Sequence, residues 1–278
     1  MAHLENLIVG AALSSFIGLL ALWRGALDRS GALGAVLVGT SVFGFGGWVW
    51  GILLVTFFLS SSALSHFRGA RKAYLAEKFE KGHQRDLGQT LANGAVGALC
   101  ALAFARSPDP VLFCAFVAAT ATVNADTWAT ELGVLNAMPP RLITNRRTVE
   151  VGTSGAVSRL GLLASAAGAL TIGFAALAFV AADHRLGTAP DLKPEWMLVA
   201  VALVGGMAGS LFDSVLGASV QAIYVCPQCN KETEKTLHRC GTPTRHERGW
   251  RWLTNDWVNL ISSAIGALAG AGLYVLLH

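Results

Sequence analysis

Val111-Leu-Phe-Cys-Ala-Phe-Val-Ala-Ala-Thr-Ala-Thr-Val-Asn124-Ala-Asp126-Thr-Trp128 is almost wholly apolar until its last five residues, where an amide and a carboxylate enter the run. A stretch of this length approaches the roughly 20 residues a helix needs to cross a bilayer. A charge inside such a helix costs roughly 3 kcal/mol or more, so Asp126 is a functional candidate by default.

Reading outward from it, further apolar segments fall at about 5–23, 31–46, 48–65, 90–105, 156–181, 196–222 and 257–277. The fold class is therefore all-α, a polytopic transmembrane helical bundle of about eight spans. Seven is the alternative, because the second and third segments touch at Gly44-Phe45-Gly46-Gly47 and could form one broken or re-entrant element. The chain is 53% hydrophobic and 14% charged, against roughly 25% charged in globular domains. The segments use up most of the 278 residues. One transmembrane domain over 1–278 follows, with a polar loop at 225–249 inserted between the last two spans. Residues 1–23 lack a basic lead and a cleavage site, which reads as a retained first helix. The net charge of +4 is too dilute to imply a nucleic-acid partner.

The eight-span layout puts the stretches 24–30, 66–89, 129–159 and 223–256 on one side, and these carry 18 of the 21 Lys and Arg. The positive-inside rule then places them in the cytoplasm of a cell inner or plasma membrane, with both termini outside. Between 66 and 89, Phe67, Ala70, Tyr74, Leu75 and Phe79 recur at helical spacing with basic residues between them. That is the pattern of a helix lying in the interface, for which plain anchoring suffices.

Polar residues gather at the cytoplasmic ends. Asp126 has Glu131 just beyond its segment, and Ser210, Asp213, Gly217 and Gln221 form one stripe at helical spacing. Gln89 with Asn93, and Asn255 with Asn259, are i, i+4 pairs opening two other segments. Carboxylates with amides are hard oxygen ligands suited to Mg²⁺ beside a phosphate. Arg146 and Arg147, followed by Gly152-Thr153-Ser154-Gly155 before a helix, offer guanidinium groups and backbone N–H groups to an anion. Taken singly, Ser154 reads equally as an N-cap and Asp126 as an ion-pair partner.

Cys226-Pro-Gln-Cys229 and His238-Arg-Cys240 have the spacing of a closed, structural Zn²⁺ site, with His246 as a substitute ligand. The bland reading is free cytoplasmic thiols. Cys100 and Cys114 lie in apolar segments and read as packing residues.

Several of these motifs occur in a recognisable order: Gly31-Ala-Leu-Gly34, Gly88-Gln89-Thr-Leu-Ala-Asn93-Gly94, Ala125-Asp126-Thr127-Trp128-Ala-Thr-Glu131, Gly152-Thr153-Ser154-Gly155, Gly209-Ser210-Leu-Phe-Asp213-Ser214 and Asn255-Asp256-Trp-Val-Asn259. As a set they resemble the integral membrane family that includes transmembrane protein 19 and the plastid phytyl-phosphate kinase of plants. The resemblance runs from about residue 18 to the end. It implies a kinase that moves a nucleoside triphosphate γ-phosphate onto a prenyl monophosphate, with CTP favoured because similar prenol kinases use it. Asn93, Asp126, Glu131, Asp213, Asn255 and Asn259 are the positions it carries over. On this reading Asp126 and Asp213 hold Mg²⁺, and Glu131 or Asn255 completes the shell. Arg146, Arg147 and residues 152–155 bind phosphate, with Arg85 assisting. The prenyl-phosphate lipid sits among membrane lipids between helices. The cysteine loop departs from the plant and animal pattern and resembles a prokaryotic variant. A cytidylyltransferase acting on a lipid phosphate, or a transporter without enzymatic activity, are the competing expectations.

Overall fold

The computed structural model describes residues 2–67, 84–186, 196–238 and 240–278. Within them the chain forms helices α1 (Ala2–Trp23), α2 (Arg29–Gly46), α3 (Trp48–His66), α4 (Leu87–Arg106), α5 (Pro110–Gly133), α6 (Arg159–Leu186), α7 (Met197–Ser219) and α8 (Asn255–Leu277). These match the eight apolar segments one for one. Seven are long and apolar enough to cross a membrane; α2, with its glycines, Ser41 and Thr40, is the exception. Gly47 alone separates α2 from α3, at φ +91°, so the glycine joint is a sharp turn between two helices. The expected interfacial helix falls mainly on residues 68–83, which lie outside the described residues.

Polar side chains start the helices. Asp28 caps α2 by accepting from the Gly31 N–H at 2.7 Å, and Asp86 forms a reciprocal capping box with Gln89 on α4. The two starts are tied together. The Arg85 N–H donates to the Ala26 carbonyl at 3.0 Å, and the Asp28 N–H donates to the Arg85 carbonyl at 3.1 Å. A Cβ on Gly31 would lie 2.0 Å from that carbonyl oxygen, so only glycine permits this approach.

The core is built around α5, whose side chains from Phe113 to Ala125 are all buried. Trp50 of α3 stacks on Phe116, their ring centroids 4.5 Å apart. On another side, α7 and α8 bring Gly205 and Gly270 so close that a Cβ on either would fall within 2.5 Å of the Ala118 Cβ. Small residues replace hydrophobic drive as the packing device in such bundles.

The carboxyl ends of α1, α3, α5 and α7 and the amino ends of α2, α4, α6 and α8 share one end of the bundle, hereafter the site end. Cross-links there include Ser65 Oγ donating to Glu131 Oε1 at 2.8 Å. At the opposite end, Trp48 Nε1 donates to Asp183 Oδ1 at 2.5 Å. Exposed Trp23, Trp250, Trp252 and Trp257 collect at the site end, in the manner of an interfacial aromatic belt. Two small sheets also lie there. Strands β1 (Arg141–Leu142) and β2 (Ala156–Val157) pair antiparallel between α5 and α6. Strands β3 (Ile223–Cys226), β4 (Lys231–Thr233) and β5 (Arg245–Arg248) form an antiparallel ribbon in the order β4-β3-β5, inserted between α7 and α8.

Candidate active site

Helix α5 runs past Trp128 to Gly133, so Asp126, Thr127, Thr130 and Glu131 all lie within it. They line a cavity of about 280 Å³ at the site end. Facing them are Ser210, Asp213 and Ser214 of α7, residues 151–158 of the connection into α6, Gln89 of α4 and Asn255 of α8. The expected stripe from Ser210 to Gln221 holds, although α7 ends at Ser219, before Gln221. Asp126 and Asp213 are close enough for their charges to act on each other, and Asp213 Oδ2 is buried with no hydrogen-bond partner among the described residues. Two carboxylates this close in a low-dielectric pocket stay together only with a proton or a cation to offset their charge.

The glycine loop reaches the cavity differently from what its sequence predicts. Ser154 does not cap a helix, because β2 intervenes and α6 starts only at Arg159, where Ser158 Oγ accepts from the Gly161 N–H at 3.0 Å. Gly155 sits at φ +77°, and a Cβ there would fall 2.2 Å from the Ala218 backbone nitrogen. That close approach turns the chain into β2 and seats residues 152–155 on the last turn of α7. Ser154 Oγ then donates to Gln221 Oε1 at 2.6 Å, and Gln221 Nε2 donates to Glu234 Oε1 at 2.9 Å.

Glu234 is the residue the sequence reading missed. It follows β4 on the ribbon, lines the cavity beside the two aspartates, and its charge acts on Asp213. Only its position four residues before His238 distinguishes it, and that spacing carries no signal for a distant pocket. The carboxylates of Asp126, Glu131, Asp213 and Glu234 ring the cavity instead of closing on one point. Such an open arrangement suits a metal already carried on a phosphate better than a bare ion.

The ribbon holds a second cluster. One ligand atom from each of Cys226, Cys229, His238 and Cys240 lies within 4.8 Å of every other, and it is the only such His, Cys or carboxylate group among the described residues. Two tight turns build it. Asn230, at φ 51°, returns its N–H to the Cys226 carbonyl at 2.8 Å, and the Gly241 N–H donates to the His238 carbonyl at 2.9 Å. Cys226 and Cys240 sulfurs stand 3.6 Å apart, near the roughly 3.8 Å that a tetrahedron of 2.3 Å Zn–S bonds requires. The Thr242 hydroxyl and then the His238 ring hold the Cys240 thiol down at about 6. Hydrogen bonding to Cys240 pushes Cys229 up to about 11. His246, the substitute expected from the sequence, lies outside this group, edge-on to Tyr224 at 5.5 Å.

The family model for an integral membrane protein family, DUF92, matches residues 12–267. The chain belongs to the DUF92 family.

This DUF92 protein is 33% identical to Protein PGR of Arabidopsis thaliana, over 92% of each chain. It is 30% identical to an uncharacterized membrane protein of Methanocaldococcus jannaschii, over its whole length and 98% of that relative. A more distant relative is the chloroplastic protein VTE6 of Arabidopsis thaliana, 26% identical over 87% of this chain and 63% of the relative. No solved structure matches.

Not every expected site residue of the DUF92 protein meets in this cavity. Arg146 and Arg147 lie exposed at a turn, where the Arg146 N–H donates to the Leu142 carbonyl at 2.9 Å; neither lines the pocket. Asn259 lies one turn along α8 from Asn255 and is likewise off the lining. Arg85 and Asn93 line a different, apolar cavity on the other side of α4.

Proposed function

We propose that this DUF92 protein is a membrane-embedded phosphotransferase that moves the γ-phosphate of a nucleoside triphosphate, CTP first, onto a prenyl monophosphate to give the diphosphate. The observation that carries this reading is the facing pair Asp126 and Asp213 in one cavity at the end of the bundle, with the residue 152–155 backbone beside them. The resemblance to the family of plastid phytyl-phosphate kinase supports the substrate class, and the distant likeness to VTE6 agrees with it.

Magnesium held by Asp126 and Asp213, with Glu131 or Asn255 completing the shell, would neutralise charge on the β- and γ-phosphates. The chain's own work is positioning. The backbone of residues 152–155 orients the triphosphate, Glu234 adds a further carboxylate, and exposed Arg146 and Arg147 attract nucleotide from solution. An oxygen of the lipid phosphate forms a bond to the γ-phosphorus as the bond to the β–γ bridging oxygen breaks, and the nucleoside diphosphate leaves. A monophosphate dianion is already a nucleophile, so no general base is required. Zinc on Cys226, Cys229, His238 and Cys240 is the proposed structural metal, fixing the ribbon that presents Glu234. The basic loops and this cavity face the cytoplasm, by the charge asymmetry of the sequence.

The test is purified protein in detergent with Mg²⁺, labelled CTP or ATP, and geranylgeranyl or phytyl monophosphate. The expected result is γ-label in a lipid diphosphate with native protein and none with Asp126→Asn. Transfer of α-label instead would make the protein a cytidylyltransferase. No transfer with any pairing would overturn the enzymatic reading in favour of transport.

A further inference from the structure

Helix α3 packs on α2, α5 and α6, and the space between it and the α1, α2 and α4 group is left open as a cavity of about 320 Å³. That volume lies within the range of roughly 300–1,000 Å³ typical of small-molecule sites. Its wall is apolar along nearly its whole length, from Leu13 and Ile17 of α1, through Val38 and Phe43 of α2, to Val55 and Phe58 of α3. Away from the Ser14 hydroxyl and the Trp48 indole, its polar groups gather at one end, where Arg85, Thr90 and Asn93 close it from the start of α4.

Arg85 is the unusual member. Its guanidinium stacks over the Phe57 ring at 5.6 Å and has no hydrogen-bond or ion-pair partner among the described residues. Burial lowers its pKa from the ordinary value, while the Glu131 carboxylate acts the other way. A guanidinium held against an aromatic face at the mouth of an apolar space has five donors and no acceptor, which suits a planar fork onto an anion. The Asn93 side chain, one turn further in, likewise makes no hydrogen bond to a described residue.

We infer that this cavity is the binding site for the single hydrocarbon chain of a lipid monophosphate, with the phosphate on Arg85 and Asn93 and the chain running between α2 and α3 toward Phe43. The occupant is fixed by charge and shape together. One anionic head matches one guanidinium, and one narrow apolar space matches one chain. The phosphate end also lies next to the carboxylate cavity, because Gln89 and Thr90, adjacent on α4, line the two cavities from opposite faces. This inference rests on the proposed kinase reading for the identity of the chain, and its test is independent of turnover.

The experiment is binding without nucleotide, using native protein in detergent and a fluorescent geranylgeranyl monophosphate, competed by geranylgeraniol, inorganic phosphate and two-chained phosphatidic acid. Geranylgeranyl monophosphate is expected to bind and the other three to compete at least ten-fold more weakly. Arg85→Gln should weaken binding about ten-fold or more, the usual loss for one charge-assisted contact. Ala35 of α2 also lines the cavity, and Ala35→Trp, which places a ring in it, should abolish binding while thermal stability stays near native. No binding by native protein, or undiminished binding by a folded Ala35→Trp protein, would overturn the site. Native binding with no γ-phosphate transfer would instead sink the kinase reading and leave this site standing.

Discussion

Gln221 Nε2 donates to Glu234 Oε1 at 2.9 Å, joining the end of α7 to the cysteine–histidine ribbon at the wall of the carboxylate cavity. The ribbon is therefore part of the pocket. Disturbing the Cys/His cluster of the ribbon, the proposed zinc site, should be felt at the aspartates.

Zinc analysis of the purified protein is expected to give one ion per chain, and Cys226→Ser should lose it. Turnover should fall by roughly ten-fold with Cys226→Ser and by a similar factor with Glu234→Gln, since supporting residues of this kind are typically worth about 10–100-fold. The double variant should be little worse than either single one, because both act through one carboxylate. Additive losses would show that the metal and Glu234 act separately.

Asp126→Asn and Asp213→Asn should each reduce turnover by at least about a hundred-fold, as metal-held charge stabilisation is worth several kcal/mol. Neither should lower the melting temperature of the metal-free protein, because each removes one of two mutually repelling charges. A large drop in melting temperature would mark these residues as structural ion-pair members.

Gly155→Ala should destabilise the protein by at least about 2 kcal/mol, combining a left-handed backbone with a contact no side chain can relieve. Thermal unfolding in detergent reads this directly.

Trp48→Phe should lower stability by roughly 1–2 kcal/mol, because it removes the indole bond to Asp183 that ties α3 to α6 at the end opposite the carboxylate cavity. Equal stability in the variant would mean that the bond contributes nothing net.

The bundle could be read from the sequence because its signal is long-range and redundant. Eight apolar runs mark the eight helices, and the distribution of Lys and Arg alternates with them. Asp126, Asp213 and Asn255 were legible too, since polar groups near the ends of apolar helices have few alternative explanations. The site's outer half was not. Glu234 lies in a charged ribbon where a solvated carboxylate is the ordinary expectation, and only the fold-back of β4 onto β3 brings it inward. Arg146 and Arg147 look like phosphate ligands in the sequence, yet the β1–β2 pairing holds them out on an exposed turn. Arg85 and Asn93 differ from Gln89 by the face of α4 on which they fall, a distinction that depends on which helices surround it.

Because Gln89 and Thr90 open onto separate cavities, one wet and one oily, the two reactants of the proposed transfer would never need a common doorway. The nucleotide would be drawn from an aqueous volume, whereas the lipid would be drawn from a two-dimensional film. Rates would then follow the mole fraction of lipid phosphate in the membrane, and diluting the bilayer with inert lipid would slow the reaction even when every bulk concentration is unchanged.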